Sequence, residues 1–99
     1  MTGLLLSIYK NRLPGYDVCF EATHHGPLVE KPTMFLEIGS GEEQWELKEP
    51  AKALIKSLLE LEAASGVNAI GIGGGHYTPR FTEAAMSHKV CFGQMIANY

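Results

Sequence analysis

Three consecutive glycines, Gly73-Gly74-Gly75, stand between an apolar run and the dipeptide Thr78-Pro79. No other feature restricts the fold as much. Val67-Asn68-Ala69-Ile70-Gly71-Ile72 is mostly apolar, which suits a strand buried in a parallel sheet. Thr78-Pro79 suits an N-cap followed by proline at the first helical position, so a helix is predicted through about Ser87. A strand, a glycine loop and a helix in that order belong to an α/β architecture. Glycine costs backbone entropy, so the loop needs either positive φ or close approach to a ligand. The plainer alternative is a tight turn that needs glycine for packing.

The remaining elements follow from periodicity. Leu5, Ile8, Tyr9 and Arg12 predict a short helix closed by Pro14-Gly15. Tyr16, Val18 and Phe20 alternate with polar or small residues, which predicts a strand over 16–21, broken by Thr23-His24-His25-Gly26-Pro27. Thr33 to Ile38 reads as a second strand, ended by Gly39-Ser40-Gly41. Residues 46–65 give the clearest helix. Leu47, Ala51, Leu54, Ile55, Leu58 and Leu61 form its core stripe, with Pro50 in the first turn and Gly66 as the stop. Trp45 is expected to cover one end of that helix, after a solvated Glu42-Glu43. Val90-Cys91-Phe92 is a short final strand. Residues 1–99 therefore read as a single α/β domain, a mostly parallel or mixed sheet of about four strands with helices packed on it. Crossovers should be right-handed, which places the loops that follow parallel strands along one sheet edge, where ligands bind.

Composition narrows the function classes. The 99 residues are 45% hydrophobic and 19% charged, ordinary for a globular protein. A net charge of −3 argues against a general nucleic-acid coat, although Lys10, Arg12, Lys31, Arg80 and Lys89 can still meet phosphates. Cys19 and Cys91 fit no Cys-x-x-Cys pattern, so a reduced, cytosolic setting is expected. Met1 to Ile8 lacks the basic segment and cleavage site of a signal peptide. No stretch approaches the roughly 18 apolar residues that span a bilayer.

The glycine loop is where chemistry concentrates. It is no P-loop, since Gly-Lys-Ser/Thr is missing, and the dinucleotide spacing begun by Gly71-Ile72-Gly73 puts His76 where its last glycine belongs. What remains is a set of bare amides before a helix N-terminus, which attracts a phosphate, a carboxylate or a developing oxyanion. His76 suits a general base, a metal ligand or a phosphate donor, or else it caps local backbone. Glu83 lies three residues after Arg80 and either pairs with it or orients His76 or a metal. His24 and His25 point opposite ways in an extended segment, so one faces the site. With His76 and a carboxylate they make zinc chemically possible, although no His-Glu-x-x-His spacing supports it. Glu21 and Glu37, at strand positions, read as partners of such a site or, more plainly, as solvent-facing residues.

Glu21-Ala22-Thr23-His24-His25-Gly26-Pro27, Phe35-Leu36-Glu37-Ile38-Gly39-Ser40, and the long run from Gly71 to Glu83 closely resemble the archaeal and plant type of D-aminoacyl-tRNA deacylase. Phe92-Gly93-Gln94-Met95-Ile96 is similar to that family too. Family proteins are longer, and the resemblance covers a middle section of their length. It implies a cytoplasmic enzyme that hydrolyses the ester between a D-amino acid and the 3′ end of tRNA. It also implies zinc as cofactor and a fold like that of peptidyl-tRNA hydrolase. On this resemblance His76, His24, His25 and Glu83 are the expected catalytic residues, and His24, His25 and His76 the expected zinc ligands. Gly73, Gly74, Gly75, Tyr77, Thr78 and Arg80 are the expected substrate contacts. The alternatives are a non-catalytic module that grips a tRNA end or another anion, and a hydrolase of peptidyl-tRNA.

Overall fold

The computed structural model describes residues 1–24, 26, 28–39 and 41–99. Its elements are α1 (Thr2–Asn11), α2 (Glu42–Trp45), α3 (Lys48–Leu59), β1 (Val67–Ile72), α4 (Pro79–Ser87) and β2 (Val90–Ile96). β1 and β2 pair in parallel, joined by α4 as crossover. The α/β class and the strand-loop-helix unit around the glycines are as the sequence predicts.

The sheet is built around a break in register. Ala69 lies opposite Phe92, whereas Ile70 lies opposite Gln94, so Gly93 is an extra residue in β2. Such a bulge inverts the side-chain alternation beyond it. Phe92 and Met95, three apart, consequently face the same side and are both buried. They form the core with Leu5, Phe20 and Ala85, and Phe81 and Ala69 pack against it. The Phe20 ring meets Phe92 edge-on at 6.1 Å, and the Phe81 and Phe92 rings lie 5.2 Å apart. Gly71 makes this possible: a Cβ there would stand 2.7 Å from the Phe81 ring.

α1 docks its N-terminus on β2, where Thr2 Oγ1 accepts from the Phe92 amide at 3.0 Å. Along its length it meets α3 through a polar seam. Ser7 Oγ donates to the Ser57 carbonyl at 2.8 Å, and Ser57 Oγ donates to the Ala53 carbonyl at 2.7 Å. Both serines are buried. Hydroxyls that find carbonyls satisfy the polar groups of so close a contact.

Several sequence expectations are corrected. The described residues contain two strands rather than about four. Residues 16–21 and 33–38 are not in strands. The first of these is tied to α4 instead, because Phe20 N–H donates to Thr82 Oγ1 at 3.0 Å, which diverts its backbone from a sheet ladder. The 46–65 helix is Lys48–Leu59, preceded by the separate turn α2, where Gln44 Oε1 takes the Gly41 amide at 3.1 Å. It ends well before Gly66 because the chain turns back past Gly3 of α1 on its way to β1. Of its expected core stripe, Leu47, Ile55, Leu58 and Leu61 are exposed, while Ser57 is fully buried. Trp45 is exposed as well and covers nothing. β1 is parallel but buried on one face only, with Ile70 65% and Ile72 77% exposed on the other. No helix among the described residues is long and apolar enough to cross a membrane.

Candidate active site

The site begins with two threonines one helical turn apart. Thr78 Oγ1 donates to the Phe20 carbonyl at 3.1 Å, and Thr82 Oγ1 accepts from the Phe20 amide at 3.0 Å. Together they grip both main-chain groups of Phe20 from the start of α4. The Ala22 amide then donates to the His76 carbonyl at 2.9 Å. These three hydrogen bonds lay residues 20–24 alongside the glycine loop, and the side chains of Glu21 and His24 arrive beside His76.

The loop has the geometry its glycines allow. Gly73 and Gly74 have φ of 96° and 80°, the left-handed region that favours glycine. The Gly73 amide donates to the Ile96 carbonyl at 2.8 Å, and the Gly74 carbonyl accepts from the Asn98 amide at 3.2 Å. The loop is thereby fastened to the end of β2. Among the described residues, no hydrogen bond takes the Gly74 or Gly75 amide. Thr78 itself has φ 26°, a strained value for a β-branched residue, and sits at the N-cap of α4.

Glu21, His24 and His76 each offer one ligand atom, all within 4.8 Å of one another. The His24 and His76 rings are 4.4 Å apart. His76 Nε2 lies 3.5 Å from Glu21 Oε2. Nδ1 of His24 faces the Ala22 carbonyl at 2.9 Å. A carbonyl only accepts, so this nitrogen carries the hydrogen and Nε2 carries the lone pair. Tyr77 sets its ring edge-on to His76 at 4.7 Å and is itself 59% exposed. Gln94 of β2 donates to Thr23 Oγ1 at 3.0 Å, a further tie between the sheet and the histidine segment.

Expected and observed sites differ in instructive ways. His24 and His76 come together at the site; His25 lies outside the described residues. The carboxylate beside His76 is Glu21, not Glu83, because the backbone clamp on Phe20 brings residue 21 in while Glu83 sits exposed on α4. No ion pair joins Arg80 to Glu83 among the described residues. The Thr78 hydroxyl is buried on Phe20 and makes no side-chain cap, so it is not presented to a substrate. Arg80 is exposed at the start of α4. Sequence reasoning missed the Thr78/Thr82 clamp, although its four-residue spacing on a predicted helix was visible. Cys19 lies two residues from Glu21; burial of its thiol, then the carboxylates of Glu21 and Asp17, push its pKa up, which disfavours the thiolate. The grooves along α1 and residues 60–65 include neither histidine; in the cluster His24 is exposed and Glu21 and His76 are half-buried.

Known proteins share this chain's sequence from end to end. A profile described as D-aminoacyl-tRNA deacylase matches residues 1–99. A D-aminoacyl-tRNA deacylase of Methanocaldococcus jannaschii is 42% identical over 99% of this chain and 45% of its own length. Those of Ignicoccus hospitalis and Arabidopsis thaliana are 39% and 36% identical, over 98% and 88% of this chain. The chain spans 40% and 32% of these two relatives, less than half in every case. With the profile matching residues 1–99 and relatives above a third identical, the chain belongs to the D-aminoacyl-tRNA deacylase family.

Proposed function

We propose that this protein hydrolyses the ester bond of D-aminoacyl-tRNA, releasing a free D-amino acid and tRNA, in the cytoplasm where translation is kept clear of D-residues. The observation that carries the reading is the convergence of Glu21, His24 and His76 beside the bare amides of Gly74 and Gly75. An aminoacyl ester is already activated, so catalysis needs a positioned water, a proton acceptor and a holder for the oxyanion. His76 takes the water proton, and the Glu21 carboxylate steadies the imidazolium that forms. The water oxygen bonds to the ester carbon, and the Gly74 and Gly75 amides receive the oxyanion. The ester C–O bond breaks, and the imidazolium returns its proton to the departing ribose oxygen. Gly73 keeps the loop in place, Tyr77 offers an exposed ring on which a terminal base can stack, and Arg80 an exposed guanidinium for phosphate.

Two imidazoles and a carboxylate are a common donor set of catalytic zinc sites, and these three fit it. Glu21, His24 and His76 would hold the ion, which when bound supplies a Lewis acid and a more acidic water. We further read the β1–α4–β2 unit as the crossover of an α/β sheet like that of peptidyl-tRNA hydrolase. The apolar Ile70 and Ile72 on its open face suit a helix packed there, as in a layered α/β fold.

The test is deacylation of D-tyrosyl-tRNA against its L form by the 99-residue chain, with metal content measured in parallel. The expected result is release of the D form only, slowed about 10²- to 10⁴-fold in His76→Ala. Equal rates in the variant would remove His76 from the mechanism. Affinity for tRNA without turnover would favour a binding module. Turnover of N-blocked substrates alone would favour a peptidyl-tRNA hydrolase.

A further inference from the structure

The two imidazoles of the site are fastened differently. His24 Nδ1 meets a main-chain carbonyl at 2.9 Å, whereas His76 Nδ1 meets the hydroxyl of Tyr99 at 3.2 Å. That hydroxyl is delivered by a pinned backbone: the Ile96 carbonyl and the Asn98 amide are both bonded to the glycine loop, through Gly73 and Gly74. Tyr99 is 76% exposed, so it contributes nothing to the core, and among the described residues its hydroxyl meets the histidine. On the opposite side of the ring, Nε2 faces Glu21. For Nε2 to take the water proton, Nδ1 carries the hydrogen and donates it to the phenol oxygen.

We infer that Tyr99 is a positioning residue: its hydroxyl holds the Nδ1 side of His76 so that Nε2 faces Glu21 and the His24 ring. Partners of this kind fix ring orientation and tautomer, and their loss typically lowers activity 10- to 100-fold. The role rests on the reaction proposed above, with Tyr99 acting through His76 rather than on substrate. A phenol differs from the carbonyl at His24 in being able to donate or accept, so His76 retains its hydrogen bond whichever nitrogen holds the proton.

Two measurements on Tyr99→Phe, which removes one oxygen from an exposed ring, test the inference. In the metal-free chain, labelled with nitrogen-15 at histidine and held at one pH, the His76 Nδ1 resonance should shift and its ring signals broaden, while His24 is unchanged. In deacylation, kcat should fall about 10- to 100-fold with KM unchanged. The thermal midpoint should not move. An unaltered Nδ1 resonance together with an unaltered kcat would overturn the role of Tyr99 and leave the reaction standing. A wild-type chain with no deacylase activity would sink the reaction, and the resonance of His76 would still decide the role of Tyr99.

Discussion

The two halves of this molecule are joined by opposite means. Where α4 crosses between β1 and β2, contact is apolar: Phe92, Met95, Ala85 and Phe20 bury one another, and the candidate site sits directly on that cluster. Where α1 meets α3, contact is polar and close, through the hydroxyls of Ser7 and Ser57 and the carbonyls they reach. The leucine-rich side of α3 faces outward instead. The difference shows that hydrophobicity along a helix does not by itself choose the buried side. Neighbours do, and at Ser57 α1 offers α3 a serine rather than an apolar groove.

This contrast can be broken at its strong point first. Met95 is 1% exposed at the centre of the core, and its sulfur lies 3.7 Å from the Thr78 hydroxyl oxygen. Met95→Ala should cost about 2–5 kcal/mol in denaturant unfolding, a large share of a small domain's stability, and should cripple deacylation because Thr78 and Thr82 anchor the Glu21–His24 segment. A loss below 1 kcal/mol would mean that the site does not ride on this core. The opposite half sharpens the comparison. Ile55 is 57% exposed on α3, so Ile55→Gln should change stability by no more than about 0.5 kcal/mol and leave catalysis alone. A loss of several kcal/mol would show that the face is covered in solution.

The smallest expected effect is on pH dependence at the α1–α3 seam. The Asn11 amide donates to Glu60 at 3.1 Å, and Lys56 and Lys10 add positive charge, so the Glu60 carboxyl is held below its ordinary 4.5. A carboxyl depressed in the folded state binds fewer protons than in the unfolded one. Its stabilisation is therefore present above pH 4.5 and is lost as pH falls through the lower folded value. Glu60 is exposed and solvent-screened, so the effect is slight. Acid unfolding of the wild type should show a small loss below pH 4.5 that Glu60→Gln lacks. Superimposable acid profiles would show that the contact is not stabilising.

Much of the site was legible in the chain because its signals are local. Gly73 and Gly74 need positive φ, Thr78-Pro79 opens a helix, and the apolar run before them makes a strand; each depends on near neighbours only. The meeting of His24 with His76 was expected from a family likeness rather than from spacing. Glu21 was legible as a partner of the site no more than Glu37 was, since its place depends on hydrogen bonds spanning some sixty positions in sequence. The absence of strands at 16–21 and 33–38 has the same origin: alternation reports which side chains share a face, not whether an edge is available to pair with.

The sequence alone thus determined the α/β order, the loop and the helix start, because backbone sterics and capping act within a few residues. Only the tertiary structure decided which carboxylate stands by His76, that Tyr99 closes its other side, and that α3 turns its leucines outward. Those outcomes depend on where distant segments come to rest, through the Gly93 bulge and the clamp on Phe20, and local preference carries no information about such distances.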